Sequence, residues 1–242
     1  MIDMAAQLIC GVRAAISDGT NVIVDEVSLL PPDPGEVTVR VLASRICHSD
    51  LDVIDGRSPI PAPVVLGHEA AGVVERIGDN VDSVDVGDEA MISSLTPCGD
   101  CPSCRAGRPS RCPEAYGRSS FPFRWRGTVV RSYANVSSFA SHVTVRASQL
   151  IGAAGIPATH SSLVGCAVST GSSVPTTSSP TSPRLQAPMW SSSAAGRQLR
   201  SRPQRRGGPG NARHALTRVI KRSAAVAQDT HARLHACSAF RG

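Results

Sequence analysis

"EVTVRVLASRICHSDLDVI", Glu36–Ile54, changes its period half way along. From Glu36 to Ser44 β-branched and apolar side chains alternate with polar ones, the pattern of a half-buried strand. From about Cys47 to Ile54 the alternation stops and a short helix is predicted. Upstream, "RAAIS" (Arg13–Ser17) and "NVIVDEVSL" (Asn21–Leu29) also alternate, and "DGT" and "PPDPG" (Pro31–Gly35) separate the three stretches with turn chemistry. Downstream, "AAGVVERIG" (Ala70–Gly78), "GDEAMIS" (Gly87–Ser93) and "SSFASHVTVR" (Ser137–Arg146) read as further strands, and a helix opens near Thr159 and leads into Gly165–Thr170. Many short strands divided by Gly/Pro turns predict a mainly β chain with short helices, folded as a partly open barrel. No internal repeat is present.

The formal net charge of +6 is the sum of two unlike parts. Residues 1–171 hold 13 Arg, no Lys and 18 acids, whereas residues 172–242 hold 11 Arg, Lys221 and the single acid Asp229. The basic character therefore belongs to the second part, where serine, proline and arginine replace any sustained period. Its best helical candidate, Asn211–Gln228, shows one apolar face (Leu216, Val219, Ile220) with nothing evident to pack against. Low apolar content with strong like charge predicts a poorly ordered tail. A basic tail can also bind nucleic acid, but Trp190 and Phe240 are its only stacking aromatics. No apolar run reaches the roughly 18 residues of a membrane span, and the start lacks the basic cluster of a signal peptide. A soluble, cytoplasmic protein is expected.

"CGDCPSCRAGRPSRC" spaces Cys98, Cys101, Cys104 and Cys112 as C-x2-C-x2-C-x7-C. Four thiolates at such spacing suit a tetrahedral zinc ion, and Gly99, Pro102 and Gly107 supply the tight turns. With every position sulfur, no coordination site is open and the role would be structural. Two disulfides or idle thiols are the competing reading. A second set is more dispersed: Cys47 in "CHSD", His68 and Glu69 in "GHE", and Cys166. Singly, such residues are a polar turn histidine and core-filling cysteines. Together they make the Cys2His set of a catalytic zinc with an open fourth position.

Four motifs in order, "ICHSDLDV", "PVVLGHEAAGVVERIGDNVDSVDVGDEAM", "CGDCPSCRAGRPSRC" and "LVGCAVSTG", resemble the GroES-like catalytic domain of zinc-dependent medium-chain alcohol dehydrogenases. The resemblance runs from about Arg13 to Gly171, roughly two thirds of the chain. It implies a catalytic zinc held by Cys47, His68 and Cys166, with Glu69 as alternate ligand, and a structural zinc on the four clustered cysteines. Asp50 would orient His68 through its other ring nitrogen, and Ser49 would stand in the proton relay. Asp52 occupies the place where liver-type members put a relay histidine. His48 would face the cofactor pyrophosphate and Thr170 the nicotinamide. The implied reaction interconverts an alcohol and an aldehyde or ketone. Zinc acidifies the hydroxyl as a Lewis acid, and hydride passes to NAD(P).

That family implies a dinucleotide-binding domain after Gly171, yet no G-x-G-x-x-G appears; "GGPGNA" (Gly207–Ala212) lacks the third glycine and follows no strand. We therefore divide the chain into a GroES-like zinc-binding domain at 1–171 and a low-complexity tail at 172–242, and read the tail as translated out of frame. "PMWSSSAAG" (Pro188–Gly196) supports this. Met and Trp have single codons, and triplets begun at each codon's third base, with serines as TCN, yield Val-Val, two apolar residues and a run compatible with Gly-Cys-Gly. That is the pattern of a dinucleotide domain's first strand and turn. On this reading turnover is impaired, and a catalytically silent zinc-binding fragment is the alternative. The choice between NAD and NADP and the oligomeric state would both depend on the absent half.

Overall fold

The computed structural model describes residues 8–115 and 120–172. From residue 173 onward the tail, and with it the frame-loss reading, lies outside the described residues.

In chain order the strands are β1 (Ile9–Ser17), β2 (Val22–Leu29) and β3 (Glu36–Arg45), followed by helix α1 (His48–Ile54). Next come β4 (Val64–Val65), β5 (Glu69–Ile77), β6 (Glu89–Ile92), the short α2 (Pro102–Arg105), β7 (Phe123–Trp125) and β8 (Thr128–Ser132). The series closes with β9 (His142–Arg146), β10 (Leu150–Gly152), α3 (Ala158–Ser161), a π-helical stretch at Val164–Val168 and α4 (Ser169–Ser172). Local chemistry sets the turns. The Asp18 carboxylate accepts from the N–H groups of Thr20 and Asn21 at 2.8 and 2.7 Å, which folds "DGT" back on itself. Arg126 and Gly127, with φ of 49° and 77°, join β7 to β8 through the left-handed pair that a two-residue hairpin requires.

Strands β1, β2, β7, β8 and β4 form a closed barrel, shut by pairing of Ile16 and Ser17 with Val65 and Val64. The other five make an open sheet in the order β10-β6-β5-β3-β9. Ile16, Val27, Leu29, Phe123 and Val130 from the barrel pack into one core with Val37, Val39, Val74, Ile92 and Val143 from the sheet. The mainly β fold with short helices expected from the alternation is thus present. One predicted strand is shorter than its pattern: of Ser137–Arg146 only His142–Arg146 is extended into the ladder. Ser137 takes φ of 61°, which ends the alternation and turns the chain before the strand begins.

The open sheet carries a charged brace. Glu75 on β5 accepts from the Arg40 guanidinium on β3, and its other oxygen lies 3.2 Å from His142 Nε2 on β9. The His142 ring at that distance, helped by the Arg40 guanidinium, holds the Glu75 carboxyl below its ordinary value of 4.5 despite partial burial. A depressed carboxylate contributes stability above its unfolded pKa and loses it as pH falls through the folded value. Glu75→Gln will therefore cost about 1 kcal/mol at pH 7. Thermal melts of the two proteins should converge as pH falls below the depressed folded pKa of Glu75; a difference that stays the same size from neutral to acid pH would refute the brace.

What matters for function is the register of β3 and β5. Arg45 pairs with Glu69, so the C-terminal end of one strand meets the N-terminal end of the other. Residues just outside that pair, Cys47 and His68, are delivered to the same edge. Ala70 pairs with Ile92 on β6, and a Cβ at Gly165 would fall 2.3 Å from the Ile92 carbonyl oxygen. Only a bare glycine lets the π-helical stretch approach that closely, bringing Cys166 to the edge where Cys47 and His68 already stand.

Candidate functional site

Two sets of side chains each bring four donor atoms within 4.8 Å of one another. The first is Cys98, Cys101, Cys104 and Cys112; the second is Cys47, His68, Glu69 and Cys166. Every cysteine in both sets is free.

The first set is built by a lobe between β6 and β7. Gly99 and Gly107 adopt φ of 81° and 70° to make its turns. Pro102 opens α2 at a position where a missing N–H costs nothing. Backbone N–H groups aim at sulfur: Cys101 N at Cys98 Sγ (3.3 Å), Cys98 N at Cys112 Sγ (3.4 Å) and Cys104 N at Cys101 Sγ (3.5 Å). Cys98 Sγ and Cys112 Sγ lie 3.6 Å apart. A disulfide needs about 2.05 Å, whereas a tetrahedron of 2.3 Å zinc–sulfur bonds has edges of about 3.8 Å. The geometry therefore fits a metal and not a disulfide pair. N–H groups of Asp100 and Cys101 pull the Cys98 thiol down to about 7. Loss of solvent and the Cys101 hydrogen bond push Cys104 up to about 12. Thr96 closes the neck of the lobe by donating to the Glu114 and Ala115 carbonyls at its other end.

The second set is organised by Asp50, fully buried in the first turn of α1. One carboxylate oxygen accepts from Cys47 N at 2.9 Å, the other from Gly67 N at 3.1 Å. The same oxygen lies 3.4 Å from His68 Nδ1, a buried nitrogen with no other partner. Asp50 thus caps the helix carrying Cys47 and pins the loop carrying His68. Gly67 takes φ of 91° against Phe139, with no room for a Cβ. His68 Nε2 turns toward the cluster, 3.5 Å from Ser49 Oγ.

The electrostatics match a cation site. A hydrogen bond from Cys166 outweighs burial and lowers the Cys47 thiol to about 3, while sharing that bond raises Cys166. Burial opposes charge on His68, yet Asp50 and Cys47 prevail and lift it to about 10. Burial and the charge of Cys47 raise Glu69. These groups crowd negative charge and one proton-accepting imidazole into a half-buried edge. Two sulfurs and one nitrogen are the donors of a zinc site whose fourth position is open, and the Glu69 carboxylate stands beside them as an alternate donor.

Not every sequence-predicted residue joins this cluster. Ser49 and Asp50 do. His48 points outward, its ring 72% exposed and 3.7 Å from Asp52. Asp52 is engaged by Arg57 at 2.7 Å, one helical turn from the cluster. Thr170 is exposed on α4, four positions beyond Cys166. The sequence reading missed Tyr133, whose ring meets His68 edge-on at 5.7 Å and whose hydroxyl donates to the Ser49 carbonyl at 3.2 Å. A lone aromatic in the polar run "SYANVSS" is the only signal it leaves.

Among the described residues no helix is long and apolar enough to cross a membrane.

Residues 33–155, just over half of the chain, match the alcohol dehydrogenase GroES-like domain. Alcohol dehydrogenase-like 7 of Arabidopsis thaliana is 33% identical over 180 residues, 66% of this chain and 44% of that protein. S-(hydroxymethyl)glutathione dehydrogenase of Escherichia coli is 34% identical over 172 residues, 66% of this chain and 46% of that one. Of solved structures, an alcohol dehydrogenase zinc-binding domain protein from Burkholderia ambifaria gives a TM-score of 0.61 at 32% identity, and benzyl alcohol dehydrogenase from Acinetobacter calcoaceticus gives 0.59 at 33%. Each match covers 66% of this chain and 46% of the other. Acetophenone reductase from Geotrichum candidum, solved in complex with NAD, gives 0.51 at 28% and covers 66% and 44%. The chain thus spans less than half the length of the proteins it matches. It belongs to the alcohol dehydrogenase family, through its GroES-like domain.

Proposed function

We propose that this chain is the zinc-holding half of an alcohol dehydrogenase and carries two metal centres of different purpose. The observation that carries the reading is the contrast between the two donor sets, one wholly sulfur and one of sulfur, nitrogen and oxygen. Cys98, Cys101, Cys104 and Cys112 would hold a structural ion, with no donor position left for a reactant. Cys47, His68 and Cys166 would hold the catalytic ion, with Glu69 as the neighbouring alternate donor. When bound, zinc supplies a Lewis acid that acidifies an alcohol hydroxyl.

The remaining roles fall to the chain's own side chains. Asp50 fixes the tautomer and orientation of His68 by facing its Nδ1. Ser49 Oγ, 3.5 Å from His68 Nε2, stands where the hydroxyl proton would leave. His48 and Asp52 lie one step outward, at the solvent end of that path, and the Arg57 ion pair keeps Asp52 in place as its acceptor. Small alcohols and aldehydes are the substrate class. The hydride acceptor is NAD(P), which His48 and Thr170 would approach from this side; Geotrichum candidum acetophenone reductase is solved in complex with NAD. The matched relatives extend over more than as much chain again, and we assign the cofactor to that portion. Residues 172–242 take its place here as a basic, low-complexity segment.

Elemental analysis of the purified chain should return two zinc ions per molecule, and incubation with a primary alcohol and NAD(P) should form no detectable NAD(P)H. One zinc or none would overturn the metal assignment. Sustained NAD(P)H formation would overturn the assignment of the cofactor to that further portion of the relatives.

A further inference from the structure

Helix α1 has seven residues, fewer than two turns, and its N-terminus carries both Cys47 and Ser49. So short a helix does not hold its geometry unaided, and its first turn stays where outside contacts fix it. Asp50 is one such contact. Tyr133 is another, and it touches both halves of the centre. Its hydroxyl donates to the Ser49 carbonyl at 3.2 Å, and its ring stands edge-on to His68, 5.7 Å between centroids and 73° between planes.

Tyr133 is itself held by an unusual turn. Ala134, Asn135 and Ser137 all adopt left-handed φ, at 48°, 60° and 61°, without a glycine among them. Such a backbone persists only where its surroundings over-determine it, and here they do. Tyr133 N donates to Ser137 Oγ at 2.8 Å, and that hydroxyl is bonded to the Val65 carbonyl at 2.8 Å. Asn135 Nδ2 reaches the carbonyls of Ser94 and Ala115, at the foot of the four-cysteine lobe. Ser138 N and Phe139 N close on the carbonyls of Gly67 and Leu66, next to His68. The strain thus sits where one aromatic side chain meets the histidine loop and the cysteine helix together.

We infer that Tyr133 is a positioning residue of the Cys47–His68–Cys166 centre: its hydroxyl fixes the helix turn that presents Cys47 and Ser49, and its ring fixes the plane of His68. The inference rests on the metal reading proposed above.

The test uses the full chain loaded with cobalt, whose visible bands separate a four-sulfur centre from a mixed sulfur–nitrogen one, with affinities from chelator competition. Tyr133→Phe deletes one oxygen and keeps the ring. It should weaken the mixed centre about five-fold, the change one neutral hydrogen bond supports, and shift its band. Tyr133→Leu should weaken it about thirty-fold, and in both variants the four-sulfur band should stay at the wild-type position and affinity. A merely structural role would lower both centres together, so parallel losses contradict the inference, as does an unchanged mixed centre in both variants. Should Tyr133→Phe lose both bands by failing to fold, Tyr133→His, which keeps an aromatic edge and an N–H donor, decides in its place by falling between wild type and Tyr133→Leu. A wild-type chain with only the four-sulfur band sinks the metal reading of this centre and this inference with it. A wild-type mixed band that Tyr133 variants do not move sinks the inference alone.

Discussion

If the two-ion reading proposed above holds, Cys98→Ser will cost the chain one metal ion and lower its melting temperature by about 10 °C. The lobe from Thr96 to Ala115 has almost no apolar core: Cys112 and Ala115 are its buried apolar residues. What organises it is the convergence of four sulfurs and the three N–H groups aimed at them. With a structural ion bound, that convergence becomes folding free energy, because the unfolded chain offers no preformed site. Losing roughly 4 kcal/mol of linkage from a tightly held ion corresponds to about 10 °C for a domain of this size. The variant should also release the Asn135 side chain from the Ala115 carbonyl and expose the segment to proteolysis. Calorimetry with zinc analysis checks this. An unchanged melting temperature and two retained ions would mean that the four thiols are not ligands of one site.

Asp50→Ala will be the most damaging single change in the second centre. A fully buried carboxylate holds two backbone N–H groups and faces His68 Nδ1, and no neighbour can replace it. Deleting it leaves those donors unpaired in a dry environment, a cost of about 3 kcal/mol. Zinc affinity at the Cys47 centre should fall about 10- to 100-fold, the usual effect of removing a ligand's orienting partner. Asp50→Asn, similar in shape, should retain most of the stability and lose most of the affinity, because the amide can accept from one N–H while offering His68 no charge. Urea titration paired with chelator competition separates the two effects. Equal stability in wild type and Asp50→Ala would show that the helix and the histidine loop are fixed by other contacts.

Much of this was readable before any coordinates, for reasons that differ by element. β3 alternates over most of its ten residues, so its period survives noise; β5 is legible instead as a run of small and β-branched apolar residues ending at a glycine turn, and the cysteine lobe is compact enough that spacing alone predicts convergence. Pairing of Arg45 with Glu69 is not encoded locally; Cys47, His68 and Cys166 are grouped by donor type and by resemblance, not by spacing. The strands β4, β7, β8 and β10 span two to five residues, too few for a period; the first three exist because the barrel closes around them, and β10 because it pairs with β6 at the edge of the open sheet. Ser137–Arg146 misled for the opposite reason: its alternation continues through a residue whose left-handed φ breaks the strand. Tyr133 was invisible because its importance lies in two contacts reaching 65 and 84 positions back along the chain.

The two unlike donor sets call for two ions in unlike shells on one chain. X-ray absorption at the zinc edge of the purified full chain, combined with its zinc content, tests that most directly. Two zinc ions per chain with an average of about three sulfur neighbours each, the remainder nitrogen or oxygen and an imidazole signature present, is the expected result. Four sulfurs per zinc with a single ion, or a second ion without sulfur, would contradict it.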